Sequence, residues 1–292
     1  MKEIILQRAL EDGSLLRATF LPEYGMNLSS LKKGDIEVID QSTKPLFDER
    51  LSGLGPIIGP HFYHRKESEV TFVPDETIFP HLANIRKPDS KEPFSHGIGR
   101  YVPWSYTASE TEVSAHLSGS DTYHGMTLEA LEGFDFSMTF KAHLSLQGLE
   151  IEMHTNSVQK PSIAGLHYYF ALKNHEGFVT MNCKNQYGDK GFWRHIPSRW
   201  QDQGHLHFNL QEESDYTFIP VSTDFSGIAL LETSSHKLKI EYKTGSDEHS
   251  FQLYHPQDAS FVCIEPVTAK DPRNAKQRKN SLFVKITPSL SI

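Results

Sequence analysis

The sequence predicts an all-β protein in which residues 1–292 form one large antiparallel β-sandwich domain. Apolar and polar residues alternate without interruption over residues 134–146, which is the period of a strand with one solvated face. Clusters of Gly, Ser, Asn and Asp separate such runs, and no amphipathic pattern lasts for three helical turns. Because no change in composition marks a linker, a single sandwich accounts for the whole chain.

The other predicted elements are short and follow the same alternation. A Gln-Gly pair at residues 147–148 precedes a second alternating run, which predicts a β-hairpin with the strand before it. Strands are expected at residues 149–154, 238–243 and 282–286, and single helical turns at residues 128–133 and 273–279.

The composition excludes several classes of function. A formal charge of −8 and the lack of any Lys/Arg run argue against a nucleic-acid partner. The first residues carry only a three-residue apolar run, too short for a signal-peptide core, and no later run approaches a membrane span. Cys183 and Cys263 form no metal-type pair, so we interpret them as reduced thiols and expect a cytoplasmic protein, with a disulfide between them as the alternative.

Three short segments place a titratable or charged group among apolar or glycine neighbours. They are residues 95–100 (Ser-His-Gly-Ile-Gly-Arg), residues 165–170 (Gly-Leu-His-Tyr-Tyr-Phe) and residues 261–266 (Phe-Val-Cys-Ile-Glu-Pro). If folding brings His96, His167 and Glu265 together, the two histidines and the carboxyl group suffice to move protons onto and off a neutral, oxygen-rich substrate.

Each of these residues also has a purely structural interpretation. Glu265 ends an apolar strand, where it either meets solvent or, if buried, must be paired, protonated or used. A histidine in a run as apolar as that around His167 is usually a hydrogen-bonded core residue. His96 is compatible with an exposed polar turn.

The order and wording of the three segments resemble the aldose 1-epimerase (galactose mutarotase-like) superfamily, whose motifs read roughly His-Gly-Phe-x-Arg, Leu-His-x-Tyr-Phe and Val-x-Glu-Pro. The resemblance covers about residues 15–287, although Ile98 and Gly99 replace the usual Phe and Ala of the first motif. It implies a large sandwich of curved sheets. It also implies an isomerase that interconverts the α and β anomers of a hexose.

Within this resemblance, three residues have catalytic roles. Glu265 is the general base that takes the proton of the anomeric hydroxyl, and His167 is the general acid that protonates the ring oxygen. His96 is a second histidine that faces the sugar. Partial desolvation is expected to raise the pKa of Glu265 towards the working pH.

Three further residues are expected to bind substrate. Arg100 matches the arginine of the first motif, and Arg65 resembles an upstream arginine that contacts substrate. Asp224 occupies the approximate place of an aspartate that binds sugar hydroxyls, with a turn-forming aspartate as the equal alternative.

The implied reaction is ring opening and closure by proton transfer, so neither a cofactor nor a metal is expected. The expected partner is a monosaccharide or a sugar phosphate, bound by a monomer or homodimer. The wording of residues 183–190 is similar to the hexose-6-phosphate branch, which makes hexose-6-phosphate 1-epimerase one alternative. A carbohydrate-binding protein without catalysis is the other.

One competing pattern points to a different chemistry. The segment Gly-His-Leu-His at residues 204–207, followed by Glu212, resembles the first metal motif of a cupin. The second cupin motif has no recognisable counterpart downstream, so we do not expect a metal site there.

Overall fold

A computed structural model describes residues 2–86 and 90–290, and within these residues the chain consists mainly of β-strands. The strands are β1 (Ile4–Ala9), β2 (Leu15–Leu21), β3 (Asn27–Lys33), β4 (Ile36–Glu37), β5 (Ile57–Ile58), β6 (Ser105–Ala108), β7 (Glu112–Ser118), β8 (Thr122–Tyr123), β9 (Met126–Thr127), β10 (Phe136–Leu144), β11 (Leu149–Ser157), β12 (Gly165–Leu166), β13 (Tyr169–Ala171), β14 (Phe178–Met181), β15 (Cys183–Asp189), β16 (Phe192–His195), β17 (Gln201–Asp202), β18 (His205–Asn209), β19 (Ser214–Pro220), β20 (Ser226–Glu232), β21 (His236–Thr244), β22 (Ser250–His255), β23 (Phe261–Val267) and β24 (Lys279–Leu290).

Helices are few and short in the described residues. The α-helices are α1 (Lys44–Arg50), α2 (His81–Ile85) and α3 (Leu128–Glu132), and single 3-10 turns occur at Pro22–Tyr24, Gln41–Thr43, Glu67–Glu69, Glu76–Ile78, Ile98–Arg100, Lys173–His175, Ser198–Trp200 and Pro272–Asn274. None of the helices in this part of the chain has the length and apolar character that a membrane span requires.

The strands form two large sheets, and all their pairings are antiparallel. The ten-stranded sheet has the order β17-β18-β14-β20-β21-β24-β11-β10-β7-β6, and the second sheet has the order β16-β15-β19-β22-β23-β12-β5, with β13 also pairing with β23. Strands β1 to β4 form a smaller sheet, and β8 and β9 form a two-stranded one. The predicted all-β, antiparallel fold class is confirmed.

The predicted alternation determines which face of each strand is buried. In β10 every second side chain from Phe136 to Leu144 is buried, and the polar residues between them point outward. Strand β11 continues the hairpin, with Leu144 opposite Leu149. The inner faces of the sheets share one apolar core, as shown by the edge-to-face contact of Tyr242 in β21 with Phe251 in β22, whose ring centroids lie 4.5 Å apart.

Strand β23 lies inside the second sheet, and its two faces differ in their surroundings. Val262 and Ile264 point into the apolar core, so Cys263 and Glu265 point to the opposite face. Segments β12 and β13 both run antiparallel to β23, and His167 lies between them with its backbone N–H bonded to the carbonyl of Pro56 at 2.9 Å. This arrangement positions His167 beside Glu265.

Candidate active site

A cavity of about 490 Å³ lies against the face of the second sheet that is turned away from the core. The sheet strands contribute Tyr169, Gly188, Trp193, Asp215, Thr217, Gln252, Tyr254 and Glu265 to its lining. The surrounding segments contribute Leu46, Arg50, Ser52, Phe62, Tyr63, Ser95, His96, Arg100, His167, Lys190, Gly191, Lys270, Asp271, Pro272 and Arg273.

His167 and Glu265 are in contact within this cavity. His167 Nε2 lies 3.3 Å from Glu265 Oε1, and the two residues are only 8 % and 2 % exposed. The imidazole stacks on the ring of Tyr169 at a centroid distance of 5.1 Å, which fixes its plane. The strand-end interpretation of Glu265, in which the carboxyl group meets bulk solvent, is therefore wrong.

Burial shifts both pKa values towards the uncharged forms. Desolvation, helped by the nearby positive charge of Arg100, lowers the pKa of His167 to about 3. Desolvation and the carboxylate of Asp215 raise the pKa of Glu265 well above its usual value, against the opposing effect of Arg100. The upward shift expected for Glu265 is found. Both shifts favour the form of the pair in which the carboxyl group carries the proton and the imidazole is neutral.

His96 approaches the pair from a tight loop. Its ring centroid lies 5.2 Å from that of His167, and its φ of 66° is in the left-handed region that non-glycine residues rarely adopt. Its Nδ1 accepts the backbone N–H of Tyr63 at 3.3 Å. Burial lowers the pKa of His96 well below 6.5, so the neutral ring carries its proton on Nε2, where it can donate a hydrogen bond to a sugar oxygen.

The backbone geometry requires a glycine directly after His96. Gly97 has a φ of 90°, and a Cβ at this position would lie 2.1 Å from the carbonyl oxygen of Gly59. Only glycine allows this close approach of the two backbones.

Arg100 also reaches the cavity, although it is almost fully buried. Its Nε and Nη2 atoms donate to the carbonyl oxygen of Ile57 at 3.2 and 3.0 Å. Among the described residues no carboxylate lies within ion-pair distance of its guanidinium. Arg100 is thus a fixed positive charge beside the acid–base pair.

Arg65 does not line the cavity, which corrects the expectation that it binds substrate. Its guanidinium forms a bidentate ion pair with Glu92, with distances of 2.6 and 2.9 Å, and Nη1 donates to the carbonyl of Glu132. The carboxyl group of Glu132 contacts His61 Nδ1 at 2.5 Å and accepts the backbone N–H of Ile98 at 3.0 Å. This buried network supports the loop that carries His96 and Arg100, so Arg65 acts on the site only through its neighbours.

Asp224 also lies outside the cavity lining and is exposed. Its carboxylate accepts from Ser222 Oγ at 2.8 Å and Ser226 Oγ at 2.6 Å, and it lies 3.6 Å from Lys243 Nζ. These contacts close its own turn, and the two serine hydroxyls are the main cause that lowers its pKa to about 2. The turn-forming interpretation therefore replaces the substrate-binding one.

The sequence analysis missed several polar residues that the sheet places beside Glu265. Gln252 lies directly opposite Glu265 and opposite Thr217 on its other side, and Tyr254 lies opposite both Asp215 and Cys263. The sequence pattern that could have predicted these residues is the alternation of Gln252 and Tyr254 with buried Phe251 and Leu253. This run is short and contains no charged residue, so it does not by itself indicate a site.

The cupin-like pattern does not form a metal cluster in the described structure. His207 Nδ1 pairs with Thr180 Oγ1 at 3.0 Å, and its ring stacks on Phe178. Glu212 instead contacts Arg199 and the indole N–H of Trp200, both at 3.1 Å.

A larger depression, about 650 Å³, lies on the outer face of the ten-stranded sheet. Its rim consists mainly of lysines and glutamates on alternating strand positions, such as Lys141, Glu152, Glu241 and Lys285. Such side chains are ordinary for a solvated sheet face. We place the candidate site in the smaller cavity, because that is where buried titratable groups converge.

Comparison with known proteins supports the fold. A galactose mutarotase-like protein from Lactobacillus casei ATCC 334 superposes with a TM-score of 0.68 at 16 % identity, covering 99 % of this chain and 100 % of that one. The Slr1438 protein from Synechocystis sp. PCC 6803 gives 0.66 at 20 % identity, covering 98 % and 96 %. A candidate aldose 1-epimerase from Escherichia coli K12 gives 0.66 at 12 % identity, covering 99 % and 100 %.

No family model and no curated protein matches the sequence. The chain has the galactose mutarotase-like fold, as its three motifs predict.

Proposed function

We propose that this protein is an aldose 1-epimerase that interconverts the α and β anomers of a hexose by general acid–base ring opening. The observation that carries the proposal is the contact between His167 Nε2 and Glu265 Oε1, 3.3 Å apart, at the wall of a cavity large enough for a monosaccharide. His96 and Arg100 line the same cavity. A protein that only binds sugar has no need for a desolvated acid beside a desolvated base.

The reaction requires two proton transfers at one carbon centre. The anomeric hydroxyl must lose a proton while the ring oxygen gains one, and both oxygens are bonded to the same carbon. An acid and a base in mutual contact can therefore serve both oxygens at once. Rotation about the C1–C2 bond presents the other face of the free aldehyde, and the reversed transfers close the opposite anomer.

The pair works with a single shared proton. Burial favours the form in which this proton lies on Glu265, because it opposes both the carboxylate and the imidazolium. Ring opening with Glu265 as base uses the other tautomer of the pair, in which His167 holds the proton. Both tautomers contain the same number of protons. The apparent pKa values in a pH–rate profile therefore belong to the pair and not to either residue alone. The general acid and the general base are each expected to accelerate the reaction by about 10²–10⁴-fold.

The rim of the cavity favours a hexose 6-phosphate as the second candidate substrate. Lys190, Arg273 and Arg50 are exposed cations at the cavity. The Arg273 guanidinium lies 4.5 Å from the ring centroid of Tyr63, and its N–H groups could meet a phosphate bound in the cavity. Lys270 is less available, since its ammonium lies 2.6 Å from Asp247.

Polarimetry of freshly dissolved α-anomers tests the proposal. The protein should accelerate the approach to anomeric equilibrium, and comparison of free hexoses with their 6-phosphates identifies the substrate. Asp224→Asn is a matched control, because this exposed residue lies outside the cavity and its loss should leave the rate unchanged. Sugar binding without acceleration at any pH would instead support a carbohydrate-binding protein of the same fold.

A further inference from the structure

Cys263 is a buried group that the acid–base mechanism does not use. It is fully buried and lies two residues before Glu265 on β23, so both side chains project from the same face of the sheet. The tyrosines opposite Cys263 in the sheet, Tyr169 and Tyr254, flank it on the two neighbouring strands. Cys183, the other cysteine, lies on β15 and has no part in this cluster.

The thiol completes a set of three different metal-binding groups. One ligand atom each from His167, Cys263 and Glu265 lies within 4.8 Å of the others, and all three residues are buried. Two ligands on one zinc ion are separated by roughly 3–4 Å, given bonds of about 2.0–2.3 Å to nitrogen, oxygen and sulfur. The His167–Glu265 contact already has this separation. Only a small shift of the thiol is needed.

We propose that His167, Cys263 and Glu265 form a three-ligand site for a thiophilic divalent cation such as Zn²⁺, and that its occupation switches off the acid–base pair. The second clause rests on the function proposed above, since the ion would occupy the lone pairs that mutarotation needs. Three protein ligands leave the fourth tetrahedral position open towards the cavity, through which the ion enters beside His167 and Glu265.

The charges in this site match a divalent ion. Binding of Zn²⁺ to a thiolate, a carboxylate and a neutral imidazole gives a complex with no net charge, which suits a buried position. Because thiol ligands bind metal in their deprotonated form, the ion displaces the proton of the Cys263 thiol.

Other charged groups modulate this affinity. The positive charge of Arg100 opposes binding of a cation, whereas Asp215 and Asp40 favour it. The ring of His96 faces His167.

Cobalt spectroscopy tests the site without relying on turnover. Addition of Co²⁺ to the full-length protein should produce the near-ultraviolet thiolate-to-cobalt band together with the intense visible bands of four-coordinate cobalt. Cys183→Ser is the matched control and should keep both. Cys263→Ser should lose the thiolate band and bind Co²⁺ at least about tenfold more weakly, since loss of even an outer-shell partner typically costs metal sites 10–100-fold.

A second measurement tests the switch. Zn²⁺ should inhibit mutarotation by the wild-type protein, EDTA should restore it, and Cys263→Ser should need at least about tenfold more Zn²⁺ relative to its own metal-free rate. A wild-type protein without a thiolate band overturns the metal site even if Cys263→Ser does not fold. Equal Zn²⁺ inhibition of wild type and Cys263→Ser overturns the switch. A cobalt band in a protein that does not accelerate mutarotation would instead refute the proposed function and leave the metal site standing.

Discussion

Replacement of Glu265 by Gln should separate catalysis from stability, because the two should change in opposite directions. Gln keeps the size of the side chain but can neither take nor give the shared proton. The catalytic rate kcat should therefore fall about 10²–10⁴-fold, the contribution of one general acid or base, which corresponds to roughly 3–5 kcal/mol of transition-state stabilisation. Sugar affinity should change little, since the lost interaction acts mainly in the transition state.

Stability should increase in the same variant. In the unfolded chain a glutamate ionises near pH 4.5, whereas burial keeps Glu265 protonated to higher pH in the folded protein. Because the folded-state pKa is raised, the stabilisation that Glu265 contributes is fully present below pH 4.5. It is lost as the pH rises towards the folded-state pKa, because the unfolded chain ionises first. Gln cannot ionise in either state. At pH 7 its free energy of unfolding should therefore exceed that of the wild type.

Polarimetry and urea denaturation at pH 7 measure the two effects. Glu37→Gln is a suitable control, because Glu37 is a partly buried glutamate whose pKa is also raised by burial, but it lies in β4 outside the cavity. That variant should change stability and leave the rate intact. A Glu265→Gln protein that is fully active, or one that is inactive because it is less stable than the wild type, would refute the reasoning.

Three further predictions follow from the buried groups. Activity should persist to pH 4.5 in short assays and fall only as His167, whose pKa is about 3, takes a second proton; an acid limb with a midpoint near 6.5 would contradict the shared-proton pair. Glu132→Ala should destabilise the protein by about 1–3 kcal/mol in urea denaturation, because it leaves the buried N–H of Ile98 without its acceptor, and should lower kcat by displacing the loop that carries His96. Burial lowers the pKa of His81 to about 4, so the free energy of unfolding should fall by about 3 kcal/mol as the pH drops from 6.5 to 4. In acid denaturation, His81→Gln should abolish this loss.

The fold class was predictable because one face of each long strand is buried. Apolar and polar residues alternate without interruption around β10, and the structure places the apolar residues in the core. The second sheet was harder to predict, since β22 and β23 are mostly buried, the alternation of polarity in β22 is short, and β23 shows little alternation before Glu265. Their pairing follows from long-range register, such as Gln252 opposite Glu265, which no local pattern encodes.

The candidate site was predictable where a motif interrupts an apolar segment, as at His167 and Glu265. It was not predictable where a charged residue is engaged by a distant partner. Arg65 has the sequence character of a substrate ligand, but Glu92, 27 positions later, binds its guanidinium. Asp224 differs, because the serines that hold its carboxylate are only two residues away on either side. For Asp224 the turn chemistry was visible in the sequence, and the serine contacts favour the turn-forming interpretation.

The electrostatics of the cavity explains why Arg100 lies beside an acid–base pair without a carboxylate partner in the described structure. Burial lowers the pKa of His167 and raises that of Glu265, and both shifts favour the form with the shared proton on the carboxyl group. The positive charge of Arg100 opposes the second shift, because it stabilises the carboxylate form of Glu265. A proton that must move from the anomeric hydroxyl to Glu265 and back is transferred most easily when neither position holds it strongly. An ion pair with a nearby carboxylate would screen Arg100 and remove this effect, so its binding to the neutral carbonyl of Ile57 preserves the field that the pair requires.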